Sequence, residues 1–182
     1  GPARDAFVVA LPDLTGRGLR PVFLERRSRY ATVTSVKLLD PETLVCASFL
    51  EKTLYLVHID AARRTHRILD AVATTWRGVP VETDLADADP TTGDVVLSNF
   101  HHGSASRFRR EGDRLRFVAD LDLGLGDGPR GAPSKVHGLK LVGRDRLAVT
   151  VGSAPTGVRF FDLARGKPTV HVELPLKTQD VA

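Results

Sequence analysis

The residues best suited to chemistry are histidines and carboxylates. Six histidines occur among 182 residues, and His101 and His102 stand side by side. Neutral imidazole is a good ligand for zinc-like ions, and Asp84, Asp87 or Asp127 could add oxygens beside His101, His102 and His137. The spacing argues against such a centre. It matches neither a zinc finger nor a His-x-x-x-His pattern, and adjacent side chains on a strand diverge. Imidazoles exposed in a turn are the expectation. Asp84-Leu-Ala-Asp-Ala-Asp89 resembles a calcium loop only in its carboxylates. It lacks the glycine at loop position six and the closing bidentate Glu.

Other reactive types are poorly placed. Cys46 is the only cysteine, so an internal disulfide and a cysteine zinc cluster are excluded. Its apolar neighbours predict a small core residue. Gly124-Leu-Gly-Asp-Gly128 has no Lys-Ser/Thr after it and no strand–loop–helix around it, so it is not a phosphate cradle. Ser104, Ser106 and Ser153 lie in no nucleophile elbow. No cofactor and no catalytic residue is expected. No apolar run approaches the ~20 residues of a membrane span, and no charged-then-apolar leader opens the chain. Gly1-Pro2 without any methionine predicts a processed piece of something longer.

The elements that must position these residues come in a repeat. Leu44-Val-Cys-Ala-Ser-Phe49 matches Val95-Val-Leu-Ser-Asn-Phe100, and both match Leu147-Ala-Val-Thr-Val-Gly152. Upstream, Lys37-Leu-Leu-Asp-Pro-Glu-Thr aligns without a gap on Lys140-Leu-Val-Gly-Arg-Asp-Arg. The middle copy carries a longer turn, Asp89-Pro-Thr-Thr-Gly-Asp94. A fixed period of about fifty residues is the mark of a repeat fold. Each copy holds four strand-like runs, a to d, rich in Val, Leu, Ile and Phe and separated by Asp-Pro, Thr-Gly-Asp or Gly-Lys-Pro turns. The boundaries are 33–75, 82–123 and 136–175. Residues 6–29 read as strands c and d of a copy without its first half, and 178–182 as the start of another first strand. The single domain 1–182 is therefore all-β.

Four antiparallel strands at this period resemble a β-propeller blade. The pattern is similar to the broad WD40, YVTN and NHL-like group, without the Trp-Asp or Gly-His signatures that would name one family. The fold expected is a partial propeller of about three and a half blades. Three completions stay open: further blades in a longer parent, a second copy of the chain closing the ring as a homodimer, or a short open arc. Val136-His-Gly-Leu139 resembles the inner-strand His-Gly step of some lactonase and esterase propellers. That resemblance implies a calcium site near the channel, with His137 and Asn99 as the candidate ligands here.

A propeller sorts its turns onto two faces. The c–d turns carry Arg17, Arg20, Arg63, Arg64, Arg109, Arg110, Arg114 and Arg165, which predict a basic arc. Such an arc suits phosphates or an acidic protein. The a–b turns on the same face carry Asp40, Glu42, Asp89, Asp94 and Asp145, which should neutralise much of it, and no aromatics interleave for base stacking. Nucleic acid is not the expected partner, and the net charge of +4 demands none. The other face gathers the b–c turns and the d–a connections, the loops where binding usually resides. Tyr30, Trp76, Arg77, His101 and His102 are the expected contacts, although the Trp76 ring could instead pack its loop onto the blade below. The function expected is a non-enzymatic scaffold that binds a protein or extended ligand through these loops. The alternatives are a metal-dependent hydrolase or lactonase with a site in the channel, and binding of nucleic acid or an acidic partner by the arginine arc.

Overall fold

A computed structural model describes residues 33–125, 136–151 and 157–173, together with the backbone of two strands before them. Those two, β1 (Ala6–Pro12) and β2 (Leu19–Glu25), pair antiparallel as a two-stranded sheet. The first four-stranded sheet is β3 (Val33–Asp40), β4 (Thr43–Ser48), β5 (Thr53–Asp60) and β6 (Thr65–Ala73). A hairpin follows, β7 (Thr75–Trp76) with β8 (Val79–Pro80). The second sheet is β9 (Thr83–Asp89), β10 (Asp94–Asn99), β11 (Ser104–Glu111) and β12 (Arg114–Asp122). The third is β13 (Val136–Val142), β14 (Arg146–Val151), β15 (Gly157–Asp162) and β16 (Lys167–Glu173). Every sheet is an up-and-down meander with its strands in sequence order. The described residues contain no helix, and none that could cross a membrane.

The sequence dictates the second strands most strongly. Thr43–Ser48 and Asp94–Asn99 are buried at every position. A strand covered on both faces reads as a continuous apolar run, because neither side of its pleat meets water. Alternation then decides which neighbour each residue packs against. Val95 and Leu97 join Val45, Ala47, Leu54, Leu56 and Phe108 between the first and second blades. Val96, one residue out of phase, joins Leu121, Leu139, Leu147, Val149 and Phe161 between the second and third. A third cluster, Leu44, Cys46, Val57 and Ile59, covers the opposite face of the first blade. There β2 lies against β6.

Contacts between blades define inside and outside. The first strands β3, β9 and β13 are successive neighbours, and β6 lies beside β12. Ser35 on β3 accepts a hydrogen bond from the Ala86 N–H at 3.1 Å, and Asp87 on β9 accepts one from the Leu141 N–H at 2.8 Å. At the periphery, Asp70 on β6 accepts the Leu115 N–H at 2.8 Å. Free edge groups of one blade are thus satisfied by side chains of the next.

Candidate functional site

Two regions bring functional side chains together: the loop face built by the b–c turns and d–a connections, and the inner wall formed by β3, β9 and β13. On the loop face, Phe49 and Phe100 end equivalent strands, β4 and β10. Their rings meet edge to face at 5.0 Å, and His101 continues the row at 4.6 Å from Phe100. Leu50 stands beside them, 52% exposed. Lys52 pairs with Glu82 at 3.0 Å. Burial by itself would push the Glu82 carboxyl up, but the hydrogen bond from Lys52 and its charge hold it below the usual range. The Phe100 N–H donates to the Glu82 carbonyl at 2.8 Å, so turn and connection are knit into one surface. His102 is half-buried in the same turn, its N–H on the Asn99 carbonyl at 3.2 Å.

The d–a connection between the first two blades is more ordered than a plain loop. Arg77 and Gly78 both take positive φ, 50° and 80°. That is the two-residue turn whose twist suits a tight hairpin. The Arg77 N–H donates to Asp120 at 2.9 Å, and the Ser106 hydroxyl donates to the Thr75 carbonyl at 2.8 Å. The hairpin is therefore tied down on β11 and β12. Trp76 is 9% exposed, and the Arg77 guanidinium lies 4.8 Å over its ring. The ring is buried, while Arg77, Gly78, Val79 and Pro80 are exposed. Tyr30 lies outside the described residues.

The strands of the inner wall carry seven ionisable residues: Lys37 and Asp40 on β3, Asp84, Asp87 and Asp89 on β9, His137 and Lys140 on β13. Burial raises the Asp84 carboxyl above its ordinary value, opposed by the charge of His137 on the adjacent strand. Asn99 does not reach this wall. It is fully buried in β10, donating to Ser104 at 2.9 Å, with its Oδ1 3.3 Å from the Ser106 hydroxyl. No group of three His, Cys, Asp or Glu side chains that could hold a metal occurs among the described residues. Asp84 is one of the carboxylates the sequence offers beside His137, and blade-to-blade packing, which makes β9 and β13 neighbours, sets the two near each other.

Five of the eight arc arginines, Arg63, Arg109, Arg110, Arg114 and Arg165, pair with carboxylates. Arg109 grips Asp94 through two nitrogens, at 2.9 and 3.2 Å, and Arg107 reaches the same carboxylate at 2.7 Å. Arg110 bridges the blades to Asp40. Arg63 and Arg165 hold carboxylates three residues earlier, Asp60 at 3.2 Å and Asp162 at 3.5 Å. Arg114 lies 3.8 Å from Asp70. Arg64 is exposed at the tip of its turn. Arg17 is outside the described residues, and of Arg20 only the backbone, in β2, is described.

Neither a protein-family model nor a curated protein matches the chain. Solved structures do match in fold. The periplasmic gluconolactonase of Pseudomonas aeruginosa superposes with a TM-score of 0.64 at 20% identity, over 92% of this chain and 49% of that one. A candidate 6-phosphogluconolactonase of Bacteroides fragilis gives 0.67 at 13% identity, over 96% and 53%. The Swd1 β-propeller domain of Myceliophteria thermophila gives 0.62 at 10% identity, over 94% and 57%. The chain is a partial β-propeller. It spans about half the length of the propellers it matches. Likeness at this level of identity speaks for the fold alone, since one propeller scaffold hosts unrelated functions.

Proposed function

We propose that this propeller arc is a binding module that engages a protein or extended ligand through its b–c and d–a face. The observation that carries the reading is the Phe49–Phe100–His101 row crossing from the first blade to the second, with Leu50 exposed beside it. Apolar and aromatic side chains on a rigid base, rimmed by Lys52, Glu82 and Arg77, have the make-up of an interface centre and its polar edge. The arginine arc supports this choice indirectly. Arginines already committed to carboxylates offer phosphates little, and exchanging one ion pair for another gains little free energy.

A displayed peptide library selected against the intact protein tests the reading. Selected peptides should bind the parent and lose at least tenfold in affinity toward Leu50→Asp. Arg64→Glu, on the opposite face, should bind them as the parent does. Selected peptides whose affinity survives Leu50→Asp, or that lose it with Arg64→Glu, would overturn the assignment of the face.

A second reading, a hydrolase or lactonase-like site on the inner wall, is favoured by one observation: a carboxyl raised by burial beside an imidazole, Asp84 and His137. That is an arrangement suited to general acid–base chemistry. A lactone and ester panel together with metal analysis separates the two readings. Turnover lost in both Asp84→Asn and His137→Gln would favour the second. Peptide binding dependent on Leu50, without turnover, would favour the first.

A further inference from the structure

We propose that Lys37, Asp87 and Lys140 form an oxyanion-binding site on the inner wall, toward the a–b end of the blades. The three residues occupy the same place in three successive blades. Lys37 faces Val45, Asp87 faces Val96 and Lys140 faces Ala148 across equivalent first and second strands. Asp87 therefore stands between two lysines that the repeat puts in register with it.

The geometry leaves the lysines underused. Both ammonium groups approach the same carboxylate oxygen of Asp87, Lys37 at 3.8 Å and Lys140 at 3.7 Å. These are charge contacts, longer than a hydrogen bond. The other Asp87 oxygen accepts the Leu141 N–H at 2.8 Å. Asp87 is 4% exposed at its side chain, while Lys37 and Lys140 are 41% and 44% exposed. A buried carboxylate thus holds two half-exposed cations near each other. Each ammonium carries three donors, and among the described residues neither donates a hydrogen bond.

A groove of about 340 Å³ opens beside Asp87 and Lys140, between β9 and β13. Asp87, Asp89, Lys140 and Arg144 line it. The Asp89 carboxylate is engaged by its own turn, accepting the Thr91 N–H at 2.8 Å and the Thr92 hydroxyl at 2.9 Å. Lys140 and Arg144 in the groove wall stand with the carboxylates of Asp87 and Asp89, and Lys37 adds a third cation through its contact with Asp87. A ligand with two or more anionic oxygens would bridge the ammonium groups and supply the acceptors that Asp87 does not. The class is a small oxyanion, either a phosphate group or a carboxylate. The site lies away from the loop face and does not depend on the reading given to that face.

Calorimetric titration of the intact protein with inorganic phosphate, and separately with citrate, tests the site. Sodium chloride at matched ionic strength is the control. Saturable binding of at least one oxyanion is expected, lost by at least tenfold in a Lys37→Gln/Lys140→Gln double variant and retained in Lys37→Arg/Lys140→Arg. Binding of phosphate alone would assign a phosphate group, and binding of citrate alone a carboxylate. Unchanged affinity in the glutamine variant, or no saturable binding of either probe at millimolar concentration, would overturn the proposal. Peptide binding through Leu50 should be the same in all these variants.

Discussion

At the scale of single residues, the buried charges of β9 and β10 are the most consequential. Asp94 is 2% exposed at its side chain and receives both Arg107 and Arg109. Burial alone would raise its carboxyl, yet the hydrogen bonds from Arg109 and Arg107 win and hold it below the ordinary 3.8. Removing Asp94 leaves Arg107 largely desolvated and Arg109 half-exposed, a cost of roughly 1–3 kcal/mol because solvent screens the more exposed of the two. Asp94→Ala should lose about that much in urea denaturation at pH 7. The contribution is present above the unfolded carboxylate value of 3.8 and is lost as pH falls through the lower folded value. The gap between variant and parent should therefore close in strong acid. Asp84 has the opposite sign. Burial raises its folded value above 3.8, so ionisation at neutral pH works against folding. Asp84→Asn should raise the urea midpoint at pH 7, with the gain shrinking as pH falls through the raised value. A gain that persists into acid would show that ionisation is not its source.

Elements show how the repeat is enforced. β15 begins at Gly157, which pairs with Glu173 on β16. A Cβ placed there would meet the Val172 carbonyl oxygen at 2.1 Å. That contact is with backbone and cannot be relieved by turning a side chain. Gly157→Ala should therefore loosen β16, a strand exposed along its length, at a cost of about 1–3 kcal/mol. Amide exchange should rise in Lys167–Glu173 and stay unchanged in β10. The hairpin Thr75–Pro80 is the complementary case. The spacing of turn residues predicts a simple d–a connection there, while the structure adds two short strands that clamp Trp76 beneath Arg77. One period could be read without the other because local turn chemistry at Arg77-Gly78 is weak in sequence. Arg is an unusual choice where φ is positive.

At the scale of the whole molecule, the two-stranded sheet of β1 and β2 sits next to the first blade. Leu44, Cys46, Val57 and Ile59 form an apolar face on the first blade, and β2 lies beside β6 at its edge. Cys46 is 3% exposed, and burial pushes its thiol up to about 12. The thiolate is the reactive form, so Cys46 in the intact chain should resist a disulfide reagent at pH 8. Deleting residues 1–32 should bring rapid labelling and association of the exposed sheet face. Slow labelling in the truncated chain would mean that β1 and β2 do not protect this cluster.

Much of the scaffold was legible in the chain because period and alternation are local properties. Leu44–Phe49 and Val95–Phe100 announce second strands through their unbroken apolar character, and turns such as Thr92-Gly93-Asp94 mark where each reverses. The alignment of Lys37 on Lys140 was legible too. What it meant was not, since the longer turn of the middle copy concealed that Asp87 fills the same place. Inter-blade neighbours lie about fifty residues apart, and only packing chooses which of them touch. Tertiary structure alone brings Asp84 beside His137, sets Phe49 against Phe100, buries Asn99 within β10 and gives five of the arc arginines their carboxylates. The sequence by itself determined the strands, their order and the repeat. Which charges converge and which rings meet was decided by the stacking of sheets, because side-chain distance across a blade junction is a property of the assembled layers and leaves no periodic trace along the chain.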